Sequence, residues 1–507
     1  MRKHQQQQIL ELLKTLKEAQ SAGFYADCQE GALVIGETIE LISGEGTRTV
    51  ALLEEYCELL FSASNGEIGE KQLNRHLIQV ENSVRSELEP DRIEIAFLSY
   101  NASMSDSIES IYLAAKDDPS CDAFWIPIPY FELNSDGSTG AMHFEGPDCY
   151  GDNIECIDWQ KYDIATRRPD VIITFAPYDA GNYVTTVHPD FYCKRLRELT
   201  DLLIYCPYFV CIGDVQEHFC TIAGCLYAHK VIVQSEKIRN TYIRVYKETY
   251  GNKFGKPEDK FVALGSPKYD KSVNAKREDN KLPYEWRNLI GDRKVVFYNT
   301  CVTFILKGNE QYLKKMRFVL DTFRSREDVA LWWRPHPLNM ATVKSMRPQL
   351  LDEYKQVIAD YKLGNWGIYD DSTDLHRAIA WADAYYGDWS SLVSMYQITG
   401  KPVRIGNTEQ VNSQITAQPE HLLLDEFIRD ISLLESAFAC CYRESEVARL
   451  TDYLNFLVSN SYEDKMNKFK AKCIEIIQNT NAHADGTSGQ TIYAFIKNTV
   501  FGKGERV

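Results

Sequence analysis

No run of about 18 apolar residues occurs anywhere in the 507-residue sequence, so no segment is long enough to cross a bilayer as a helix. The opening stretch, MRKHQQQQILELLKTLKEAQ, has basic residues but no continuous apolar core, which is not the pattern of a secretory leader. A cytoplasmic protein is expected. Positive charge is also in short supply: 56 Lys and Arg face 72 Asp and Glu, a net charge of -16. That balance argues against nucleic acid as a partner and against strong attraction to anionic lipid, though a local basic patch could still meet a phosphate. There is no Walker phosphate loop and no G-x-G-x-x-G fingerprint, so kinase and dehydrogenase readings lack support. Paired metal-binding cysteines are missing too. Cys206, Cys211, His218, Cys220, Cys225 and His229 fall in one stretch, but not at the spacing of a structural zinc site. The 14 cysteines are scattered and are expected to be buried thiols, with no metal and no cofactor.

What is present is ordinary globular material, 44% hydrophobic and 25% charged, enough for two to four domains. Residues 1–90 read as helical, with Ile9, Leu10, Leu13 and Leu16 at helix spacing and a second helix near 50–61. This region is expected to be a packed helical unit or a contact through which the chain forms a homo-oligomer. From Arg92 the period changes. Strands are predicted at 93–100, 123–129, 171–176, 202–209, 231–234 and 261–264, with helices between several of them. A polar, turn-rich stretch at 274–283 reads as a linker. A second series follows, with strands at 294–299, 330–334, 366–369, 384–386 and 402–405. The expected class is α/β: two Rossmann-like domains at 91–275 and 276–431, followed by a helical segment at 432–507 that could cross back onto the first domain.

Ligands of open α/β sheets sit beyond the carboxyl ends of the strands, so the strand exits carry the functional information. In the second domain the exits read Asn299-Thr300, then Arg334-Pro-His336-Pro, then Asp370, Asp371, Ser372, Thr373 and Asp374, then Gly387-Asp388-Trp-Ser390-Ser391. Ser390 suits a helix N-cap, and two hydroxyls at a helix start form a phosphate-binding pattern. His336 sits between prolines that hold its backbone stiff, a mount suited to an imidazole that donates to a phosphate or protonates a leaving group.

In this order, Arg334-Pro-His-Pro337, Asp374, Gly387-Asp-Trp-Ser-Ser391 and Lys401-Pro402 resemble the motif series of the CDP-glycerol glycerophosphotransferases, which include the teichoic acid primases and polymerases. Val231-Ile-Val-Gln-Ser-Glu236 and Gly265-Ser-Pro-Lys-Tyr-Asp270 fit the same series. The resemblance implies a GT-B architecture, with the two domains facing across a cleft. It implies transfer of glycerol phosphate from CDP-glycerol to a hydroxyl of a cell-wall or surface-glycan acceptor, with release of CMP and no metal. His336, Ser390 and Ser391 would hold the donor phosphates. A glycan or lipid-linked acceptor would bring the protein to the inner face of the membrane as a peripheral contact.

The sequence departs from the family at two places. Trp389 stands where the family has Tyr, and the first-domain Trp-His-Gly step is absent; the corresponding exit reads Tyr205-Cys-Pro-Tyr-Phe209. His188 and Asp179 are the candidates for a replacement base, and Tyr208 and Asp106 are further candidates to face the crevice. The run 125–131 and the tyrosines could line an acceptor groove or be buried strand and turn. Two other functions fit the same pattern: a nucleotide-sugar glycosyltransferase of GT-B fold, and a scaffold protein that has lost its base.

Overall fold

A computed structural model describes residues 1–502, apart from 135, 182–184, 212–213, 373, 389, 407–440, 445–448, 461 and 464–480. The N-terminal ninety residues form four helices, α1 (Lys3–Ser21), α2 (Tyr25–Ser43), α3 (Arg48–Ser64) and α4 (Glu70–Glu87). Each carries one apolar stripe at helical spacing. Leu13, Leu16, Ile35, Ile39, Leu53, Tyr56, Leu60, Leu73, Leu77 and Val80 close on one another as a shared core. The Thr47 side chain accepts from the Val50 amide and so caps α3. The bundle is tied to the next domain by ion pairs from the Met1 amino group to Asp91 and from Arg2 to Glu94 at 2.9 Å.

The first sheet contains β1 (Ile93–Ser99), β2 (Cys121–Pro127), β5 (Val171–Thr174), β7 (Leu202–Tyr205), β8 (Lys230–Val233) and β9 (Phe261–Ala263), in the order β2-β1-β5-β7-β8-β9 and parallel throughout. Strands such as Ile93-Glu-Ile-Ala-Phe-Leu-Ser99 and Val171-Ile-Ile-Thr174 are buried along their whole length, as a sheet covered on both faces requires. The second sheet contains β10 (Lys294–Thr300), β11 (Val329–Pro335), β12 (Ile368–Tyr369), β13 (Ala384–Gly387), β14 (Val403–Gly406) and β15 (Cys441–Glu444), also parallel, in the order β12-β11-β10-β13-β14-β15. A small antiparallel sheet, β4-β3-β6, joins β3 (Tyr130–Leu133), β4 (Thr139–His143) and β6 (Thr185–Val187) at one side of the first domain.

Two features differ from the sequence reading. The small antiparallel sheet was not foreseen, because its strands are short and mostly half-exposed and so lack an apolar run. The segment from 432 is not wholly helical, since it supplies β15 to the second sheet.

The chain passes between the two units twice. It leaves the first sheet after β9 and enters the second at β10. Leu450, Tyr453, Leu454 and Leu457 then pack in the second domain's core, and the helix Ser488–Phe501 returns to the first domain with Ile492, Tyr493 and Ile496 against Ile108, Ile111 and Tyr112. Asp270 anchors the start of that helix, accepting from the Ser488 amide at 3.1 Å and the Gly489 amide at 2.7 Å. Among the described residues no helix is long and apolar enough to cross a membrane.

Candidate functional site

In the second sheet the chain starts at β10, builds outward to β11 and β12, and then reverses to β13 on the other side. The crevice at that reversal is where an open α/β sheet places a ligand. Three exits meet there. The His336 amide donates to the Thr300 carbonyl at 2.9 Å, and the Asp388 amide donates to the Asn299 carbonyl at 3.1 Å. His336 and the Ser390-Ser391 pair therefore flank the end of β10 from opposite sides. With neighbouring strands about 4.8 Å apart, the exits of β11 and β13 are separated by about 10 Å.

Gly387 makes this convergence possible. A Cβ there would lie 2.4 Å from the Asn299 carbonyl oxygen and 2.8 Å from its amide nitrogen, so only glycine lets β13 come this close to β10 at its end. Ser390 caps the helix Ser391–Gln397, accepting from the Leu392 amide at 3.3 Å, and its hydroxyl also donates to Asn299 Oδ1 at 3.4 Å. Ser391 is exposed at the first position of that helix.

His336 is half-buried, and burial lowers its pKa. Its Nδ1 accepts from the Leu338 amide at 3.1 Å, so in the neutral ring the proton sits on Nε2. The imidazole is thus set as a neutral hydrogen-bond donor with a fixed tautomer.

The other candidates on this side are turned inward. Arg334 is 7% exposed, ion-paired with Asp370 at 2.9 Å and bonded to the Ser372 carbonyl at 2.5 Å, so its charge is already balanced. Asp370 also accepts from Trp332 Nε1 at 3.0 Å and from the Ser372 hydroxyl at 2.6 Å. The Thr300 hydroxyl is fully buried and accepts from Trp333 Nε1 at 3.1 Å and Asn339 Nδ2 at 3.3 Å. Asp388 is buried beneath the exit, where it accepts from the Cys301 amide at 2.8 Å, from the Tyr312 hydroxyl and from Lys315. Its burial raises its pKa despite those partners. Asp374 caps the helix Leu375–Trp381 through the His376 and Arg377 amides. Thr373 lies outside the described residues. These groups hold the loops on which His336, Ser390 and Ser391 stand.

On the first domain the two proposed bases have separate surroundings. The Asp179 carboxylate accepts from the Cys193 amide at 2.7 Å and the Lys194 amide at 3.2 Å, capping the short helix Cys193–Leu196. Burial outweighs those bonds and raises its pKa. His188 follows β6 and packs among Phe131, Trp159 and Phe191, with Nδ1 3.5 Å from the Asp190 carboxylate. Among the described residues its partners all belong to the first domain. Tyr208 is half-buried past β7, beside Tyr178. The clustered cysteines are packing groups: Cys206, Cys220 and Cys225 are buried in the first domain's cores, and His229 Nδ1 accepts from the Leu203 amide at 2.8 Å.

The domains meet through a buried polar link that the sequence did not reveal. Asp106, past β1, contacts the Lys268 ammonium and lies 3.3 Å from His376 Nε2 of the second domain. Burial alone would raise the Asp106 pKa, but Lys268 and then His376 outweigh it and hold the carboxyl well below the usual range. The link joins residues 162 and 270 positions apart in the chain, and no local pattern announces such a pairing. Val210 and Tyr269 of the first domain pack into the second domain's core beside it.

No protein-family model matches the chain, and no curated protein matches it in sequence. Solved structures do. A protein of Listeria monocytogenes assigned as a UDP-N-acetylglucosamine 2-epimerase aligns with a TM-score of 0.50 at 14% identity, over 82% of this chain and 98% of that one. The wall teichoic acid polymerase TagF aligns with a TM-score of 0.44 at 12% identity, over 91% of this chain and 100% of that one. Anabaena HepE, solved in complex with UDP-glucose, aligns with a TM-score of 0.40 at 11% identity, over 80% of this chain and 100% of that one. Identities this low speak to fold alone: the first of these alignments, taken with the two parallel sheets, shows a GT-B-like fold of two Rossmann-like domains, with helices added at both ends.

Proposed function

We propose that the protein transfers glycerol phosphate from CDP-glycerol to an acceptor hydroxyl and releases CMP. The observation that carries this reading is the meeting of His336 and the Ser390-Ser391 helix start on either side of β10, at the sheet's reversal point. A diphosphate with a hydrogen bond of about 2.8 Å at each end fills a gap of that size. The motif order from Arg334 to Pro402 supports CDP-glycerol as the donor.

In the reaction, the acceptor oxygen forms a bond to the β-phosphorus while the bond from that phosphorus to the bridging oxygen breaks, and CMP leaves. The acceptor proton passes to a base on the first domain, for which His188 is our choice. Charge on the departing phosphate is met by the Nε2–H of His336, by Ser391 and by the amides of the helix start. Arg334, Asp370, Ser372, Thr300 and Asp388 keep the loops in place.

The test is CMP release from CDP-glycerol in the presence of glycan acceptors. His336→Ala should lower kcat by roughly 10²–10³, as loss of one transition-state donor does, and leave the unfolding midpoint within error. Turnover within a few-fold of wild type would remove His336 from the donor site. Release of UDP from UDP-sugars, with no CMP from CDP-glycerol, would favour the glycosyltransferase reading.

A further inference from the structure

The first sheet has its own reversal point, between β1 and β5, and the strand exits around it are lined with tyrosine. Tyr100 follows β1, Tyr178 follows β5, Tyr208 follows β7, and Tyr130 comes from the small antiparallel sheet. All four are half-buried, neither sealed in the core nor free in solvent. Tyr100 stands edge-on to Tyr130 at 5.9 Å and packs on Phe175 at 5.2 Å, and Tyr130 stacks on His143 at 5.3 Å. Tyr208 and Tyr178 lie close to one another. Glu145 reaches in from beyond β4 and is held by the Ala102 amide at 2.6 Å. Glu145 acts on both Tyr100 and Tyr130, and Glu132, 2.9 Å from His143 Nε2, acts on Tyr130.

We propose that this tyrosine-lined crevice is the acceptor subsite, and that it takes the end of an uncharged oligosaccharide. A sugar ring has an apolar C–H face and a rim of hydroxyls. A half-buried tyrosine offers the matching pair, an aromatic face and a polar tip. Glu145 supplies the acceptor-only group that sugar hydroxyls can donate to. An anionic acceptor, such as a chain of glycerol phosphates, would instead bring its charge against carboxylates and phenols and pay a desolvation cost. The first strand exits thus bind a neutral sugar while the second domain binds the phosphates. Calling the ligand an acceptor rests on the transferase reading; that the crevice binds neutral sugar does not.

The experiment is saturation-transfer NMR on the full-length protein with three probes: a panel of neutral oligosaccharides ending in glucose, galactose, mannose or N-acetylglucosamine, then glycerol 3-phosphate, then CMP. At millimolar ligand, wild type should transfer saturation to the ring protons of at least one neutral sugar. Tyr208→Ala should weaken that binding more than tenfold and leave the CMP signal unchanged. Tyr208→Phe and Glu145→Gln, which keep the packing, should each weaken sugar binding a few-fold. No signal from any neutral sugar, or sugar binding unchanged in Tyr208→Ala, overturns the proposal. So does glycerol 3-phosphate displacing the sugar. Should Tyr208→Ala lose CMP as well, through misfolding, unchanged sugar binding in both conservative variants overturns it. Sugar binding without any CMP binding leaves the subsite standing and sinks the CDP-glycerol reading.

Discussion

Asp106→Asn tests the buried ion pair with which the first domain faces the second. Asp106 and Lys268 have side chains only 8% and 10% exposed, so the variant leaves an ammonium in a dry interface with no counter-charge. Removing one partner of a buried pair costs about 3–5 kcal/mol, a large share of the 5–15 kcal/mol that holds a typical domain together. The bond to His376, at 3.3 Å, is long and adds little. Urea unfolding followed by tryptophan fluorescence should show the first transition moving to lower denaturant. Lys268→Met should cost a similar amount, by stranding the carboxylate. The double variant should cost clearly less than the sum, since it strands neither charge. The pair's contribution has a definite pH range. With the Asp106 pKa held low by its partners, its stabilisation is present above the ordinary carboxylate value and is lost as pH falls below it toward the folded-state value. A single-variant cost under about 1 kcal/mol, or strict additivity in the double variant, would refute a buried electrostatic link.

Gly387→Ala should cost about 1–3 kcal/mol, because its Cβ would press on the Asn299 backbone, and should also weaken donor binding by separating β13 from β10; titration with CMP and a melting curve read both. Ser390→Ala should lower stability by about 1 kcal/mol through the lost cap, whereas Ser391→Ala, exposed at the next position, should leave the melting curve alone and weaken CDP-glycerol binding about fivefold in calorimetry. His229 has its pKa lowered to about 4 by burial and then by Arg197 and Lys260, so wild-type stability should be full above pH 6.5 and fall as pH drops from 6.5 to about 4; His229→Gln should flatten that part of the urea-midpoint profile.

The parallel strands were legible because each is an apolar run bounded by turn residues, and β1, β2, β5, β7 to β11, β13 and β14 fall within a few residues of where the sequence put them. β3, β4 and β6 were not, because half-exposed strands pair through backbone groups that carry no residue signature. The donor-side exits were legible as polar clusters, but not the direction each side chain takes. Arg334, Thr300 and Asp388 have the composition of ligand-binding groups and serve as internal braces, because fixing a loop and binding a phosphate call on the same donors and acceptors. Gly387 was visible as a glycine, but the close strand approach that requires it depends on Asn299, 88 positions away, and appears only in three dimensions.

The return of the Ser488–Phe501 helix to the first domain has a mechanical consequence. Domains joined by one tether can swivel as well as bend, whereas two crossings define an axis. Here the second crossing is pinned beside the first: the Ser266 amide donates to Asn481 at 2.9 Å, and the Ala482 amide to the Gln234 carbonyl at 2.8 Å. Opening of the cleft is thereby confined to a clamshell motion about that line, which lets the two halves part for a substrate and come back in the same register.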